Sequence, residues 1–170
     1  NIRKSEDGLK VGGHQASSAS IVSIMVALYF KVLQSEDRVA VKPHAAPVFH
    51  SIQYLLGNQT KEKLDNFRGF GGAQSYPSRT KDTDDVDYST GSVGLGGAIT
   101  IFGSLMQDYL YKHNFINKQN KFGKMVALLG DAELDEGNIY EALLEGAKQN
   151  VRNCWWVIDY NRQSLDAVVA

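Results

Sequence analysis

The sequence predicts an α/β fold in which an open, mostly parallel sheet carries helices on both faces. The clearest observation is a strand, a helix and a second strand in succession between residues 124 and 159, the pattern of a βαβ unit. Helical and extended patterns also alternate earlier, between residues 16 and 57. Such alternation is typical of α/β proteins, whose crossovers place parallel strands side by side.

The composition fits one globular domain that spans residues 1–170. A chain of 170 residues that is 43% hydrophobic can bury a sizeable core. Lys and Arg total 18 and Asp and Glu total 19, so no charge excess favours a nucleic acid or an anionic membrane as partner. Because the chain does not begin with methionine, we interpret it as a piece of a longer polypeptide.

Two features bear on the cellular setting. The single cysteine, Cys154, lies in an apolar run and cannot form an internal disulfide, which favours a reducing, cytoplasmic location. The longest apolar stretch, Ile21 to Leu33, is interrupted by Ser23 and Lys31 and is shorter than the roughly 20 residues that cross a bilayer. We therefore expect no membrane span and no membrane partner.

The first elements are a helix, a short strand and a second helix. Between residues 16 and 32 apolar residues recur every three or four positions and line one helical face. Residues 38–41 have the pattern of a strand that ends before His44. Residues 48–56 predict a helix that Gly57 ends.

A long loop and a third helix follow. Residues 58–88 are rich in glycine, charge and turn formers, and ordered loops of this length are usually functional. Small residues then run from Ser89 to Gly97, before the start of the helix. The apolar face predicted for this helix comprises Ile99, Phe102, Met106 and Tyr109.

The last third contains the βαβ unit. Residues 124–129 and 154–159 are apolar strands, and residues 138–149 form an amphipathic helix between them. The apolar face predicted for that helix comprises Ile139, Leu143 and Ala147. A right-handed crossover brings the carboxyl ends of the two strands to one edge of the sheet, where ligands of open α/β folds bind.

Asp131 and Asn161 follow these two strands, so we expect the crossover to bring them together. A carboxylate and an amide supply the hard oxygen ligands that Mg²⁺ or Ca²⁺ prefers, and Mg²⁺ fills its other positions with phosphate oxygens, carbonyls and water. Gly130 allows close backbone approach, and the N-terminus of the next helix favours an anion. Each residue alone also fits a plain structural role, Asp131 as a helix cap and Asn161 in a turn.

Five short sequence blocks give these residues a specific setting. They are Gly12 to Ser17, Leu64 to Arg68, Ser75 to Pro77, Ser92 to Gly96, and the metal motif from Gly130 to Asp166. In this order the blocks resemble the thiamine diphosphate-dependent transketolase superfamily, and most closely the homodimeric bacterial first component of the pyruvate dehydrogenase complex. The resemblance implies the thiamine diphosphate-binding fold, with this chain as its diphosphate-binding module.

The resemblance implies thiamine diphosphate and Mg²⁺ as cofactors. Asp131 and Asn161 would be side-chain ligands of the metal, and Gln163 would provide a backbone carbonyl. The cofactor-binding residues of this motif would be Gly130, Asp131, Ala132, Glu133 and Asn161. Ala132 departs from the family, which has glycine there, so a methyl group stands near the expected diphosphate.

Three catalytic candidates come from the same resemblance. His14 and His44 resemble the family's histidines beside the thiazolium and the diphosphate, where imidazole can move protons or stabilise an oxyanion. Tyr76 resembles a tyrosine on the substrate side. The alternative role for all three is capping or packing, and for His50 and His113 we expect only such structural roles.

The loop before the third helix resembles the segment whose backbone contacts the aminopyrimidine of the cofactor. Its cofactor-binding residues would be Ser92, Val93, Gly94 and Leu95. Without the resemblance, a glycine-rich stretch before a helix indicates only a tight turn. The acidic residues Glu133, Asp135 and Glu136 lie at a predicted helix start, where the helix dipole by itself favours them.

Three functions remain open from the sequence. The block pattern favours decarboxylation of pyruvate with transfer of a two-carbon unit to a lipoyl carrier. The second is transketolase-type exchange of two-carbon units between sugar phosphates, although residues 75–78 lack the Gly-His-Pro-Glu block that transketolases usually carry there. The third is a degenerate module that binds diphosphate but has no catalytic role.

The resemblance also implies partners. The glutamate that activates the cofactor would come from a pyrimidine-binding domain of the same or a partner chain. We therefore expect a homodimer with the cofactor at a domain interface, and we expect residues 1–170 alone to be inactive. The lipoyl domain of a dehydrogenase complex is a further expected partner.

Overall fold

The structure is a computed structural model that describes residues 15–117, 121–164 and 167–168. Three parallel strands form the sheet, in the order β1-β2-β3. They are β1 (Arg38–Ala40), β2 (Met125–Gly130) and β3 (Cys154–Asp159). A short antiparallel pair follows, formed by β4 (Gln163–Ser164) and β5 (Ala167–Val168). Since β1, β2 and β3 are parallel, their carboxyl ends lie at one edge of the sheet.

Helices connect the three strands of the described sheet. The described helices are α1 (Gln15–Ala27), continued by a π-helical segment (Leu28–Val32), α2 (Ala46–Leu55), α3 (Lys61–Asp65), α4 (Leu95–Lys112) and α5 (Gly137–Lys148). Two short 3-10 turns follow strands, Pro43–Ala45 after β1 and Asp131–Asp135 after β2. The predicted strand 154–159 has the predicted bounds, whereas α3 lies within the segment predicted as loop.

The core forms two layers, one on each face of the sheet. All six residues of the central strand β2 are buried, and their side chains alternate between the layers. Val126 and Leu128 pack with α1 and α2, while Ala127 and Leu129 pack with residues of α4 and α5. A parallel sheet covered by helices on both faces confirms the predicted fold class.

The faces that α4 and α5 bury match the predicted apolar faces only in part: Ile139 is buried as predicted, and Ile99 packs against the core. In α4, Phe102, Met106 and Tyr109 are more than half exposed, and in α5 Leu143 is 48% exposed and Ala147 is exposed too. The buried residues of the two helices are Gly96, Gly97, Thr100, Ile101, Ser104, Ile139, Ala142 and Gly146. Apolar periodicity gives glycine no weight, so it missed the glycine positions of these faces.

Glycine lets the two helices approach each other and the sheet. A Cβ on Gly97 would lie 2.6 Å from Cδ1 of Ile139 and 3.0 Å from the Trp156 ring. A Cβ on Gly146 would lie 2.9 Å from Cδ1 of Ile101. The helix predicted to begin after Gly97 in fact begins at Leu95, because its first turn contains these small residues.

The N-terminal helical segment, residues 15–32, is long and apolar enough to cross a membrane by length and composition. Its face with Ile21, Met25 and Leu28 is nevertheless buried in the core, as predicted for a helix of a globular domain. The outer face carries Val22, Val26 and other exposed apolar side chains. The absence of a membrane partner stays a prediction.

The end of the predicted long loop and the start of the small-residue stretch pack along β1, at one side of the sheet, and along the residue after it. Asp87 Oδ2 accepts a hydrogen bond from the Val39 N–H at 2.8 Å, and Thr90 Oγ1 donates to the Val41 carbonyl at 2.6 Å. These bonds satisfy backbone groups that an edge strand leaves unpaired. The segment thereby leads the chain back to the carboxyl edge of the sheet, where α4 begins.

Candidate metal and diphosphate site

A cavity of about 400 Å³ lies at the carboxyl edge of the sheet. Its walls come from the start of α1, the turn after β1, the loop before α4, the turn after β2 and the segment after β3. This is where open α/β folds bind their ligands. The cavity therefore occupies the place where the sequence predicts a metal and a diphosphate.

The two predicted side-chain ligands of the metal follow neighbouring strands. Gly130 and Asp159 are paired in the ladder, so Asp131 and Asn161 leave the sheet at nearly the same level. Asp131 is buried, and its Oδ2 accepts a hydrogen bond at 2.7 Å from the N–H of Arg162, the residue after Asn161. The structure therefore brings the two strand ends together, and their metal-binding role stays a prediction.

The turn after β2 differs from the predicted helix start. Asp131 begins a 3-10 turn, and α5 starts only at Gly137, so Asp131 does not cap that helix. Asp131 Oδ1 accepts from the adjacent Ala132 N–H at 3.1 Å. Ala132 lies in this right-handed turn and has no positive φ, so its methyl group causes no backbone strain.

Both ends of the Asn161 amide form hydrogen bonds. Its Nδ2 donates to Ser20 Oγ at 3.2 Å and to Asp159 Oδ2 at 3.4 Å, and its Oδ1 accepts from the Gln163 N–H at 3.0 Å. Asp159 Oδ2 also forms a buried ion pair with Lys42 Nζ at 2.8 Å. Gln163, the predicted backbone ligand, lines the cavity.

Glu133 is a buried acid within the site, not an exposed residue at a helix start. Its Oε2 accepts from the Gly130 N–H at 3.2 Å, and only 5% of the residue is exposed. Burial raises the pKa of Glu133 to about 7, although the Gly130 and Gly94 N–H groups and the Lys42 charge oppose the shift. Asp135 is exposed, and Glu136 lines the cavity.

The loop predicted to contact the aminopyrimidine lies against the metal motif. Val93 lines the cavity, Ser92 is exposed and Leu95 begins α4. Gly94 is buried with φ +79°, a conformation that favours glycine. A Cβ there would lie 2.6 Å from Asn138 Oδ1 and 2.9 Å from Cβ of Glu136, so this close approach also requires glycine.

Two of the three catalytic candidates lie close together. His44 follows β1 in the 3-10 turn and lines the cavity. The ring of Tyr76 lies 6.2 Å from the His44 ring, centroid to centroid, and is 38% exposed. His14 lies outside the described residues, so its place in the site stays a prediction.

Sequence reasoning missed several residues of the site, namely Ser17, Ser20, Lys42, Glu136 and Asp159. Lys42 and Asp159 lie at strand ends, the same signal that identified His44 and Asp131, and could have been found by it. Ser17 ends the first of the five sequence blocks, and Ser20 lies three residues further along α1. Their exposure to the site follows from how α1 packs, which periodicity does not specify.

A second group of metal-ligand types, His50, Asp82 and Asp84, has one ligand atom of each within 4.8 Å of the others. His50 is fully buried, contacts Asp84 through Nδ1 and bonds the Gln74 carbonyl through Nε2 at 2.9 Å. Asp82 accepts from the backbone N–H groups of Gln74 and Ser78. These bonds attach the long loop to α2, in keeping with the structural role predicted for His50.

The residues at the cavity fit a metal-bound diphosphate. Asp131 and Asn161 offer the oxygen ligands that Mg²⁺ takes. Ser17 Oγ is buried at the cavity and has no hydrogen-bond partner among the described residues, so it can donate to a phosphate oxygen. Glu133 and Glu136 line the cavity along with Lys42, so an anionic diphosphate needs a cation to neutralise it there.

Comparison with known proteins gives consistent relatives. A family model described as 1-deoxy-D-xylulose-5-phosphate synthase matches residues 6–170. The pyruvate dehydrogenase E1 components of Haemophilus influenzae and Escherichia coli are each 31% identical over 177 residues, covering 99% of this chain and 20% of the relative. That of Cupriavidus necator is 34% identical over 168 residues, covering 94% of this chain and 18% of the relative.

Two solved structures share the fold. A transketolase from Leishmania mexicana superposes with a TM-score of 0.80 at 21% identity, over 91% of this chain and 25% of that one. A transketolase variant from Pichia stipitis superposes with a TM-score of 0.67 at 25% identity, over 76% of this chain and 20% of that one. The chain spans about a fifth of the length of the curated relatives that it matches.

Proposed function

Because the chain belongs to the family described as 1-deoxy-D-xylulose-5-phosphate synthase, within the thiamine diphosphate-dependent transketolase superfamily, we propose that it holds the diphosphate of thiamine diphosphate together with Mg²⁺. The parent protein, in this proposal, is the first component of a 2-oxo acid dehydrogenase. It decarboxylates pyruvate and transfers the two-carbon unit to a lipoyl group. The similarity to pyruvate dehydrogenase E1 components along almost the whole chain supports this choice of substrate.

The observation that carries the proposal is the convergence of Asp131 and Asn161 at the carboxyl edge of the sheet, where Asn161 lines the cavity and Asp131 is hydrogen-bonded to the backbone of the next residue, Arg162. The side chains of these residues and the backbone carbonyl of Gln163 bind Mg²⁺, and the ion neutralises the diphosphate. Ser17 Oγ, on α1 at the wall of the same cavity, would donate to a phosphate oxygen. When bound, thiamine diphosphate supplies the carbon nucleophile and electron sink that cleavage beside a carbonyl needs.

His44 and Tyr76 act on the substrate side of the site in this proposal. His44 lines the cavity, where its imidazole holds or moves a proton near the reacting carbonyl. The Tyr76 ring lies beside His44 and orients it or the substrate. His14 is the second histidine of the proposed set, by its resemblance to the family.

The proposal also requires a second domain. The exposed apolar side chains on the outer faces of α1 and α4 support a covering partner, since monomeric proteins rarely leave contiguous apolar faces open. We propose a pyrimidine-binding domain of the same or a partner chain, in a homodimer, with a lipoyl domain as a transient partner. A cytoplasmic location is part of the proposal.

Two other reactions have specific support. The solved transketolases share the fold, which supports exchange of two-carbon units between sugar phosphates. The matching family model supports synthesis of 1-deoxy-D-xylulose 5-phosphate. Against transketolase activity, residues 75–78 read Ser-Tyr-Pro-Ser, without the histidine and glutamate of the transketolase block.

An activity assay of the intact protein distinguishes these reactions. With thiamine diphosphate and Mg²⁺ present, we expect reduction of an artificial electron acceptor on adding pyruvate. Removing the metal with EDTA and dialysis should abolish this activity, and Mg²⁺ should restore it because the diphosphate needs the ion.

The same protein preparation is then assayed with the substrates of the other two reactions. Turnover of xylulose 5-phosphate with ribose 5-phosphate, or of pyruvate with a triose phosphate to the deoxy sugar, would assign one of the other reactions. Activity that is indifferent to chelation would contradict the metal site. Cofactor binding without turnover of any of these substrates would leave the non-catalytic diphosphate-binding module as the remaining function.

A further inference from the structure

Lys42 is a buried cation at the candidate site, and the proposed ligand set gives it no role. Its side chain is 4% exposed and its Nζ lies 2.8 Å from Oδ2 of Asp159, whose side chain is 5% exposed. Lys42 follows β1, and Asp159 ends β3, two strands away. The lysine side chain therefore crosses the end of the central strand to reach its partner.

Gly130, the last residue of the central strand, leaves room for this crossing. A Cβ at this position would lie 3.2 Å from Cε and 3.4 Å from Nζ of Lys42. From the sequence, we expect Gly130 to allow close approach of the diphosphate. In the structure, the atoms closest to a Cβ at Gly130 belong to the Lys42 side chain. A side chain at position 130 of the metal motif would therefore crowd the Lys42 side chain.

The ion pair continues into the amide of Asn161. Asp159 Oδ2 accepts from Ser20 Oγ at 2.6 Å, and Asn161 Nδ2 donates both to Ser20 Oγ and to Asp159 Oδ2. A carboxylate only accepts hydrogen bonds, so the end of the amide that faces Asp159 has to be the NH₂ group. This turns Oδ1, the atom suited to a metal, to the other side, where it accepts from the Gln163 N–H at 3.0 Å and keeps a second lone pair.

We propose that Lys42 is a positioning residue of the metal site, acting through Asp159 and Ser20 to orient the Asn161 amide with its oxygen toward the metal. The inference rests on the proposed function, because it concerns the same metal. Lys42 neutralises the charge of Asp159 in a buried setting, where a carboxylate without a cation is costly. Partners of this kind, one step removed from the metal, orient ligands and strengthen metal binding.

Simple electrostatics predicts the opposite effect of removing Lys42. A lysine close to a metal site repels the cation, so its removal should tighten metal binding if charge alone mattered. A positioning role predicts weaker binding, because the Asp159 carboxylate and the Asn161 amide lose their fixed arrangement. The sign of the change in metal affinity therefore distinguishes the two roles without any activity assay.

The test measures Mn²⁺ binding to the intact protein in excess thiamine diphosphate, from the electron paramagnetic resonance signal of free Mn²⁺. We expect Lys42→Met to weaken Mn²⁺ binding by about 10- to 100-fold, the range for partners that orient metal ligands. Ser20→Ala, which changes no charge, should weaken binding in the same direction. Lys148→Met is the control, since Lys148 is exposed on α5, and it should leave the affinity unchanged.

A charge-balanced variant separates positioning from folding. Lys42→Met leaves the buried Asp159 without a cation, so thermal unfolding is followed for every variant. If that variant does not fold, Lys42→Met with Asp159→Asn removes both charges and should restore folding. Mn²⁺ affinity should remain below that of the wild type in the double variant, because an amide at position 159 can face either end of Asn161 and only the Gln163 N–H then favours one orientation.

The possible results separate failure of the proposed function from failure of the positioning role of Lys42. If the wild-type protein binds no Mn²⁺, the proposed function fails and the role of Lys42 fails with it. If the wild-type protein binds Mn²⁺ and folded Lys42→Met binds it equally or more tightly, only the positioning role is overturned. Wild-type affinity in the double variant would overturn it as well.

Discussion

One hydrogen bond links the segments that follow β2 and β3 in the candidate site. Arg162 has φ +59°, a left-handed conformation that costs a residue with a side chain roughly 1–2 kcal/mol. In this conformation its N–H donates to Asp131 Oδ2 at 2.7 Å. The turn that follows Asn161 is thereby held by Asp131, so one proposed ligand fixes the backbone next to the other.

The His50–Asp84 pair gives a residue-scale prediction about stability. Asp84→Asn should lower the free energy of unfolding by about 3 kcal/mol, since it leaves a buried imidazole without its anionic partner. Asp85→Asn, at the exposed neighbouring position, should change it by less than about 0.5 kcal/mol. Urea unfolding of the wild-type protein and both variants at pH 6 measures the difference.

The same pair should make stability depend on pH. Burial lowers the pKa of His50, but the hydrogen bond and charge of Asp84 and the Gln74 carbonyl outweigh it and raise the pKa above the ordinary 6.5. The stabilisation is therefore fully present below pH 6.5 and is lost as the pH rises through the raised pKa of the folded state. The difference in the free energy of unfolding between the wild type and Asp84→Asn should therefore decrease as the pH rises through that pKa. A gap that stays constant or widens would contradict the ion pair.

At the scale of elements, the loop before α4 connects the site to the helix layer. Gly94 combines φ +79° with close contacts to Asn138 and Glu136, which belong to the start of α5 and the turn before it. Its N–H also opposes the rise in the pKa of Glu133. The loop, the 3-10 turn after β2 and α5 are therefore packed as one unit.

Gly94→Ala tests this packing. We expect the free energy of unfolding to fall by roughly 1–3 kcal/mol, because alanine is strained at this φ and its Cβ would lie 2.6 Å from Asn138 Oδ1. Gly91→Ala is the matched control in the same loop, since a Cβ there meets nothing within 4 Å and Gly91 has no positive φ. Chemical denaturation of both variants provides the comparison. Equal stability of the two would show that the close approach at Gly94 is not required.

The same elements show how far the sequence predicts the structure. The βαβ pattern predicted β3 with its bounds and placed Asp131 and Asn161 at neighbouring strand ends, because both follow from local periodicity and crossover geometry. The buried stripe of α4 was missed, because Gly97 packs through the absence of a side chain. The reach of Lys42 to Asp159 depends on β2 lying between their strands, a strand order that local patterns do not contain.

At the scale of the whole molecule, the cavity forms only part of the proposed cofactor site. Its walls hold the groups suited to a metal and a diphosphate, while apolar side chains such as Phe30, Phe102 and Met106 stay exposed on the outer helices. The chain also spans about a fifth of its curated relatives. The incomplete set of groups at the cavity and the exposed apolar faces support the proposal that another domain completes the site and provides the rest of the chemistry.

The most direct test of the central claim is a calorimetric titration of the intact protein with thiamine diphosphate, with Mg²⁺ and again with EDTA. We expect binding that requires Mg²⁺, and a loss of affinity of at least about 100-fold in Asp131→Ala, more than outer partners of a metal cause. Asp135→Ala, at the exposed end of the same turn, should bind like the wild type. Binding indifferent to both Mg²⁺ and Asp131→Ala would contradict a metal-held diphosphate at this edge of the sheet.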